Sequence, residues 1–458
     1  MRPMSLARFN ALAGYCRKPG TKFVYEEVGW FEHANERVLG MIPRCLRDKD
    51  FGGIVYGRDR LGRFRCIYAI PDFESSPRRA RMRLRHAMEQ LAMAPHEEYH
   101  QGDEEGEPLD FLTPLGPRES LNAIFKDLIE KEERVAARGI IAEMMKWYED
   151  PDGNFIQQFQ TAAFDARLWE LYLFAAFREM DYAIDRTEQI PDFACNGILS
   201  EFTVEAVTVN PSRDNNREVA RPVLDSEDAV DQYFHHYIPA RFARSLSHKL
   251  AKEYWKRPNV AGKPFLLALQ DFSEEISMTR ARPSLRMYLY GYDHKWEPDE
   301  HGQLQVHPQK LSVHRRGRKE FPSGFFSLPD TENISAVLFN GSGTIAKFNR
   351  MGVLAGFGSP RVRMTRIGAA APNDPNQAEL IPFCLDVNAP DYSETWVEGL
   401  DVFHNPNAKY PIDPEALPGA AHYHLLPDGR VVVSPQPAWY PLSSITHVAL
   451  LSDDGKAG

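Results

Sequence analysis

Three carboxylates in the middle of the chain stand where an ionised side chain is costly. Glu170 interrupts an apolar helical pattern, Asp192 follows a proline between apolar residues, and Glu205 is flanked by Val and Ala within a β-rich run. Such a carboxylate must be paired with a cation, bind a metal or take up a proton. Mg²⁺ (or Mn²⁺) would convert the repulsion between these acids into binding, because hard cations prefer carboxylate oxygens. The three acids therefore predict a metal site suited to phosphodiester hydrolysis, in which the metal activates water.

The elements around these acids are expected to bring them together. The pattern predicts one helix followed by three short strands, the helix over 155–180 and the strands at 182–184, 190–195 and 202–209. Asn196-Gly197 is a strong hairpin signal, and paired strands lie about 5 Å apart. A hairpin there would place Asp192 beside Glu205, within reach of Glu170 on the preceding helix.

Further elements complete a predicted α/β (α+β) fold with a central mixed sheet flanked by helices. A helix is predicted over 239–256, with strands at 265–270 and 334–340. The N-terminal 21–70 region carries short β-rich runs separated by turn signals, typical of a small antiparallel sheet. A basic helix is expected to follow it over 75–93.

This order resembles the PD-(D/E)xK nuclease superfamily, whose pattern is a helix acid, an Asp after a short strand and then Glu-x-Lys. Glu170, Asp192 and Glu205 match its three acidic positions. The resemblance covers about 155–275, and the wider 155–360 region is similar to a group of uncharacterised bacterial proteins with this core.

The resemblance implies a restriction-endonuclease-like core and a set of roles for the acids. Asp192 and Glu205 would hold the metal, with the Ala206 carbonyl as an extra ligand. Glu170 would bind a second metal or order a metal-bound water.

The superfamily lysine is missing from its usual place, because Val207 occupies that position. We expect Lys249 to replace it, since it falls on the core-facing stripe of the following helix. Lys252 is a weaker choice. Gln270, at the end of the next strand, is a candidate for orienting water.

Each residue also has a plainer interpretation. Glu170 alone fits a helix-surface acid, and Asp192 alone fits a turn residue. Lys249 fits a surface lysine whose stem packs on apolar neighbours. Glu205 is the hardest to explain in this way, because Glu is unusual in the middle of a Val-rich strand.

Basic segments offer candidate contacts to nucleic-acid phosphates, which Lys and Arg neutralise with release of counterions. The residues predicted to hold the backbone are Arg315, Arg316, Arg318 and Lys319. A second basic run lies at 78–85. A solvated surface remains the alternative for both runs.

Other motifs give weaker signals. His422 and His424, with His404 or His447, have the residue types of a metal site, but we favour loop or interface histidines. The glycines at 341–343 lack P-loop spacing, and no G-x-S-x-G motif occurs.

Composition bounds the remaining classes. Lys and Arg total 54 against 64 Asp and Glu, for a formal charge of −10. Hydrophobic residues make up 43% and charged residues 26%, which is typical of globular proteins. No apolar run approaches the ~20 residues of a membrane span, and no signal peptide is predicted. The five widely spaced cysteines favour reduced thiols in the cytoplasm.

The chain is expected to divide into four parts. These are a β-rich accessory domain with a basic helix (1–95), an acidic linker (96–118), a nuclease-like core (119–360) with a basic insertion or long loop system (280–325), and a Pro/Asn-rich extension (361–458).

The sequence thus favours a Mg²⁺-dependent nuclease, with DNA the preferred substrate and DNA processing or defence against foreign DNA as its setting. The alternative is a nuclease fold without catalysis that binds nucleic acid or protein. A third hypothesis is a structural subunit that uses the N-terminal domain as an interface, and homo-oligomerisation is left open.

Overall fold

A computed structural model describes residues 1–150, 153–211, 213–214, 217–218, 222–301, 303–374, 377 and 379–452. The helices of these residues are α1 (Leu6–Ala13), α2 (Pro77–Ala92), α3 (Ala123–Glu130), α4 (Val135–Met144), α5 (Phe155–Gln160), α6 (Phe164–Glu179), α7 (Glu227–Gln232), α8 (Ile238–Leu250), α9 (Ala281–Tyr290) and α10 (Ile345–Leu354). No helix in this part of the chain combines the length and the apolar composition needed to cross a membrane.

The strands form an N-terminal sheet, a central sheet and smaller sheets. They are β1 (Arg2–Pro3), β2 (Tyr25–His33), β3 (Val38–Cys45), β4 (Ile54–Arg58), β5 (Phe64–Ala69), β6 (Ala183–Asp185), β7 (Phe193–Asn196), β8 (Glu201–Val209), β9 (Arg213–Asp214), β10 (Arg217–Glu218), β11 (Phe265–Asp271), β12 (Tyr292–Pro298), β13 (Leu304–Lys310), β14 (Val313–Arg316), β15 (Lys319–Pro322), β16 (Ala336–Asn340), β17 (Val362–Ala370), β18 (Ile381–Asp386), β19 (Leu400–His404), β20 (Ala421–Leu425), β21 (Val431–Val433) and β22 (Pro441–Leu450).

The N-terminal sheet is antiparallel throughout, in the order β1-β2-β3-β4-β5, which confirms the predicted β-rich region. Helix α2 covers one face of it through Leu84 and Met88, which share a buried cluster with Val38 and Val55. Pro77 occupies the first turn of α2, where its missing N–H has no helical partner to lose.

The central sheet has the order β21-β20-β19-β16-β11-β8-β7-β6. Strands β6, β7 and β8 form an antiparallel meander, whereas β8, β11 and β16 run parallel. The order α6, β6, β7, β8, α8, β11 reproduces the predicted succession of helix, three strands, helix and strand. The mixed α/β class with a central mixed sheet is therefore confirmed.

The central sheet is covered on both faces, and the alternation of side chains along β8 shows which layer each face meets. Val204 packs in the cluster that contains the apolar residues of α6. Val207 packs in the cluster that contains Phe242 and Leu246 of α8. Glu205 and Val207 are two positions apart, so they project toward α8, and the face toward α6 is formed by the alternate residues.

The boundaries of two predicted helices are wrong. The helix predicted over 155–180 is broken at 161–163 into α5 and α6. The Thr161 hydroxyl donates to the Gln157 carbonyl, a local bond that competes with continuation of the helix. Helix α8 ends at Leu250 instead of 256, and a short 3-10 turn, Tyr254–Lys256, follows it.

Two regions interpreted as peripheral contain ordered elements of the main body. The 280–325 region is helix α9 followed by the hairpins β12–β13 and β14–β15, and Leu285 and Leu289 of α9 are fully buried. The predicted C-terminal extension supplies β19, β20 and β21 to the central sheet. Both interpretations gave too much weight to charge and to Pro/Asn content, because α9 and β19 consist largely of buried residues.

The segment interpreted as an acidic linker carries neither helix nor strand over 93–117. It nevertheless packs against the structured regions on either side of it in the sequence. Tyr99 is buried in the cluster beneath α2, and Phe111 is buried in the cluster of α6.

Candidate active site

Glu205 lies in the middle of β8, and the helix it faces supplies a lysine to it. The Nζ atom of Lys249, in the last turn of α8, lies 2.6 Å from Oε1 of Glu205. The Lys249 side chain is 23% exposed and that of Glu205 is 8% exposed, so the pair is only partly shielded from water. Lys249 thus contacts one of the three predicted carboxylates.

Tyr254 contacts the same carboxylate oxygen. Its hydroxyl donates to Oε1 of Glu205 over 2.8 Å. The chain reaches this position because Glu253 adopts a left-handed conformation (φ 49°) between α8 and the short turn that holds Tyr254. Burial raises the pKa of Tyr254, and the charge of Glu205 raises it further, so the hydroxyl remains a donor.

The second oxygen of Glu205 has a different environment. Oε2 is buried and has no hydrogen-bond partner among the described residues. A buried carboxylate oxygen without a partner loses the solvation of water without replacement. Oε2 is therefore the atom of this site most in need of a cation or a proton.

Asp192 lies directly before β7. Phe193 pairs with Val204, so the antiparallel register carries Asp192 to the position beside Glu205. Its Oδ2 accepts the Ala206 backbone N–H over 2.7 Å. Burial raises the pKa of Asp192 well above its usual value, and the nearby charges of Glu170 and Glu205 raise it further.

Glu170 approaches from α6, on the other face of the sheet, and it carries its own cation. Arg167, one helical turn earlier, lies 2.9 Å from each Glu170 oxygen. The Tyr148 hydroxyl donates to Oε2 over 3.1 Å and accepts from Arg186 over 2.6 Å. Burial raises the pKa of Glu170, while the charges of Arg167 and Arg186 oppose this rise.

We call Glu170, Asp192 and Glu205 the β8 acid cluster. Their charges influence one another, as the raised pKa of Asp192 shows. Three cations face them from neighbouring elements, namely Lys249, Arg167 and Arg186. Within the described ranges, no group of three or more His, Cys, Asp or Glu side chains is arranged to hold a metal ion.

The residues differ in how well they suit a metal. Mg²⁺ is commonly bound by one or two carboxylates, with waters and substrate phosphates completing its shell. Asp192 and Glu205 fit this requirement, because they lie side by side and Oε2 of Glu205 lacks a partner. Glu170 fits poorly, since Arg167 and Tyr148 already engage both of its oxygens.

Gln270 and Lys252 lie outside this arrangement. The Gln270 amide donates to the backbone carbonyls of Asn340 and Gly343, over 2.6 and 3.3 Å, and its oxygen accepts from the Asp271 N–H. Gln270 therefore bonds to the backbone at the ends of β11 and β16 instead of to the carboxylates. Lys252 is exposed.

The predicted phosphate-binding residues lie on the β14–β15 hairpin. Arg315 is paired with Glu320 over 3.0 Å, and Arg316 lies over the Tyr237 ring at 5.1 Å. Arg318 and Lys319 are exposed. Tyr237 directly precedes α8 and Lys249 is in its last turn, so ~18 Å of helix separates this ring from the β8 acid cluster.

The histidines predicted to lie in loops or interfaces are instead on adjacent strands of the central sheet. His404 Nε2 lies 2.8 Å from His422 Nδ1, and the rings of His404 and His424 stack at 4.3 Å. Burial lowers the pKa of His404 to about 3 and that of His422 to about 4, so both are neutral at pH 7. His447 pairs with Thr365 in a different sheet.

Sequence reasoning missed four residues that contact or flank the acids, namely Tyr148, Arg167, Arg186 and Tyr254. Arg167 had a readable signal, because it stands three positions before Glu170 on the same helix face. The other three reach the cluster through tertiary packing, which leaves no fixed spacing in the sequence.

A scan against protein-family models and searches of curated proteins and of solved structures found no match to this chain.

Proposed function

We propose that the protein is a Mg²⁺- or Mn²⁺-dependent nuclease that hydrolyses phosphodiester bonds, with DNA as the preferred substrate. The observation that carries this proposal is the buried, partnerless Oε2 of Glu205 beside Asp192, whose pKa is raised by burial and by two neighbouring carboxylates. A divalent cation would relieve both the unmet bonding of Oε2 and the repulsion between the acids.

Each residue of the site has a role that follows from its contacts. Asp192 and Glu205 would hold the metal, which supplies an activated water and neutralises charge on the phosphate. Lys249 would orient the attacking water and stabilise negative charge, in place of the lysine that Val207 replaces. Tyr254 fixes the orientation of Glu205 by holding Oε1.

Glu170 acts at a distance in this proposal. Because Arg167 holds both of its oxygens, Glu170 contributes negative charge near Asp192 without acting as a direct ligand. A second metal on Glu170 would require Arg167 to leave it. A one-metal site is therefore better supported than a two-metal site.

The fold supports the proposal in a general way. The succession of helix, three-stranded meander, crossover helix and parallel strand is what the resemblance to the PD-(D/E)xK superfamily leads one to expect. A restriction-endonuclease-like core is accordingly part of the proposal.

The test compares two glutamates on the same strand. Glu205 pairs with Lys249, and Glu201, at the exposed start of β8, pairs with Lys263 over 3.0 Å. We expect Glu205→Gln to lower cleavage of supercoiled and linear DNA in Mg²⁺ or Mn²⁺ by about 100-fold or more, and Glu201→Gln to leave it unchanged.

Metal binding provides the second arm of this test. Calorimetric titration with Mn²⁺ should show binding to the wild type that Asp192→Asn abolishes. Equal cleavage by the wild type and Glu205→Gln would refute the mechanism.

A second function, nucleic-acid binding without catalysis, is favoured by one specific observation. Lys249, Arg167 and Arg186 already face the acids, so charge is balanced within the chain itself. This function predicts DNA binding that persists in EDTA, no cleavage in any divalent metal, and no calorimetric signal with Mn²⁺.

A further inference from the structure

Helix α2 presents a row of exposed arginines along one flank of the side that packs on the N-terminal sheet. Its buried side consists of Ala80, Leu84 and Met88. Arg78, Arg81 and Arg85 share an exposed face that adjoins this buried side, because their spacing is i, i+3 and i+7. Arg79 is exposed on a different face of the helix.

These charges are not neutralised by the chain. Among the described residues, Arg78, Arg79 and Arg85 make no ion pair or side-chain hydrogen bond, and Arg81 lies over the Phe31 ring at 5.1 Å. Within the basic run, only Arg83 pairs with acids of the described chain, over 3.1 Å to Asp72 and 2.9 Å to Glu74.

A nearby acidic segment could have covered this face but contacts other arginines instead. Asp103 pairs with Arg65 over 2.7 Å, and Glu107 lies 3.6 Å from Arg60. Asp103 and Glu107 therefore pair with arginines on the strand side of the N-terminal region. A concentrated positive face is left on α2 in a chain whose formal charge is −10.

The β14–β15 hairpin is less well suited to bind phosphates. Arg315 is engaged by Glu320, and Arg316 is held against Tyr237. The exposed cations near its turn are Arg318 and Lys319, and Arg315 is exposed but paired. The arginine face of α2 is denser and is spread along a straight element.

We infer that the arginine face of α2, formed by Arg78, Arg81 and Arg85, binds the phosphate backbone of double-stranded DNA. The helix advances ~10 Å from Arg78 to Arg85, and one DNA strand presents a phosphate about every 3.4 Å of axis. Three arginines in a row therefore match about three phosphates. The planar guanidinium suits this contact, because it can donate two parallel hydrogen bonds to one phosphate.

The geometry argues against an anionic membrane as the partner. Helices that bind membrane surfaces insert an apolar face between the headgroups. The apolar face of α2 is already buried against the N-terminal sheet. The identity of the polyanion as DNA rests on the proposed function, but the binding surface is tested separately from cleavage.

The test measures how binding depends on salt. The triple variant Arg78→Gln, Arg81→Gln, Arg85→Gln is compared with the wild type by fluorescence anisotropy, using a labelled duplex of about 30 base pairs in EDTA. Losing three phosphate contacts should reduce the slope of log K against log salt by about 2.7. The wild type should thus lose about 40-fold more affinity than the variant between about 50 and about 200 mM salt.

Two further triple variants make the measurement specific. Arg44, Arg118 and Arg430 each pair with an acid elsewhere on the molecule, so changing all three to Gln removes the same charge from other surfaces. This control should keep the wild-type slope. Changing Arg316, Arg318 and Lys319 to Gln should reduce it by less than the α2 variant does.

The outcomes separate this inference from the proposed function. An unchanged slope in the α2 variant, dependence on the hairpin alone, absence of duplex binding, or preference for RNA or for anionic vesicles would overturn the inference. Glu205→Gln should bind the duplex with the wild-type slope, because it removes cleavage and leaves α2 intact. A protein that binds through α2 but cuts nothing would support the inference and refute the nuclease.

Discussion

Two buried groups of acids and bases in this protein use similar side chains with opposite electrostatic results. One is the β8 acid cluster. The other, which we call the Glu394 cluster, comprises Lys347, Arg350, Arg366, Glu394 and Glu398. In the Glu394 cluster, both oxygens of Glu394 are engaged, by Lys347 at 2.8 Å, by Arg350 at 2.8 Å through two nitrogens, and by the Tyr392 hydroxyl at 2.7 Å.

The pKa values run in opposite directions in the two groups. Burial by itself would raise the pKa of Glu394, but the charges of Arg350, Lys347 and Arg366 lower it well below its usual value. For Asp192, burial and two neighbouring carboxylates act together to raise the pKa. Both oxygens of Glu394 have partners within the chain, whereas the β8 acid cluster is left with a partnerless oxygen on Glu205 and an Asp192 whose pKa is raised. This difference is why we assign structure to the first and chemistry to the second.

The largest expected effect is on stability, from removing the charge of Glu394. Glu394→Gln leaves Lys347 and Arg350 buried without their acid, which should cost about 3–5 kcal/mol of unfolding free energy. Glu205→Gln should cost under about 1 kcal/mol, because Lys249 is partly exposed and can turn toward water. Urea unfolding of both variants, followed by circular dichroism, measures this difference. Equal losses of stability in the two variants would show that Glu205 is as important for folding as Glu394, which would contradict the difference drawn between the two clusters.

The elements that build the β8 acid cluster could largely be predicted from the sequence. Strands β8 and β11 were predictable because continuous apolar runs are typical of strands buried on both faces. The contact of Lys249 with the acids was predictable from helix periodicity. The hairpin between β7 and β8 followed from the Asn196-Gly197 signal.

Long-range pairing was not predictable in the same way. Glu394 meets Lys347 and Arg350 only because the chain folds back on α10, and no local pattern marks that return. Strand β19 joins β16 across about sixty intervening residues rich in Pro and Asn, so its place in the sheet could not be inferred from spacing. Tyr254 depends on a single left-handed residue, Glu253, which redirects the chain after α8.

The second prediction uses pH to distinguish the clusters. Because the pKa of Asp192 is above its unfolded value of about 3.9, the native state retains a proton that the unfolded chain has released. Wild-type stability should therefore fall as the pH rises from the unfolded pKa to the native one. Each unit of difference corresponds to about 1.4 kcal/mol. Asp192→Asn should lack this fall, so its free energy of unfolding should increase relative to that of the wild type as the pH rises.

Glu394 should behave in the opposite sense. Its pKa is below the unfolded value, so its contribution is present above the unfolded pKa and is lost as the pH falls. Unfolding midpoints of the wild type, Asp192→Asn and Glu394→Gln in EDTA, from about pH 4 to about pH 8, measure both trends. Parallel profiles for the two variants would show that Asp192 is not held protonated.

The smallest effect concerns Tyr254, which tests whether Glu205 is held in place for a purpose. Tyr254→Phe removes one hydrogen bond to Oε1 and should cost about 1 kcal/mol of stability. Tyr290→Phe is the matched control, because the Tyr290 hydroxyl bonds only to the backbone carbonyls of His404 and Tyr423 among the described residues. In a double-mutant cycle with Glu205→Gln, Tyr254→Phe should show coupling of about 1 kcal/mol, and Tyr290→Phe should show none.

DNA cleavage should likewise fall in Tyr254→Phe and not in Tyr290→Phe, since only the first frees the carboxylate whose other oxygen lacks a partner. Coupling without any loss of cleavage would leave Tyr254 as a stabilising contact that has no part in the chemistry.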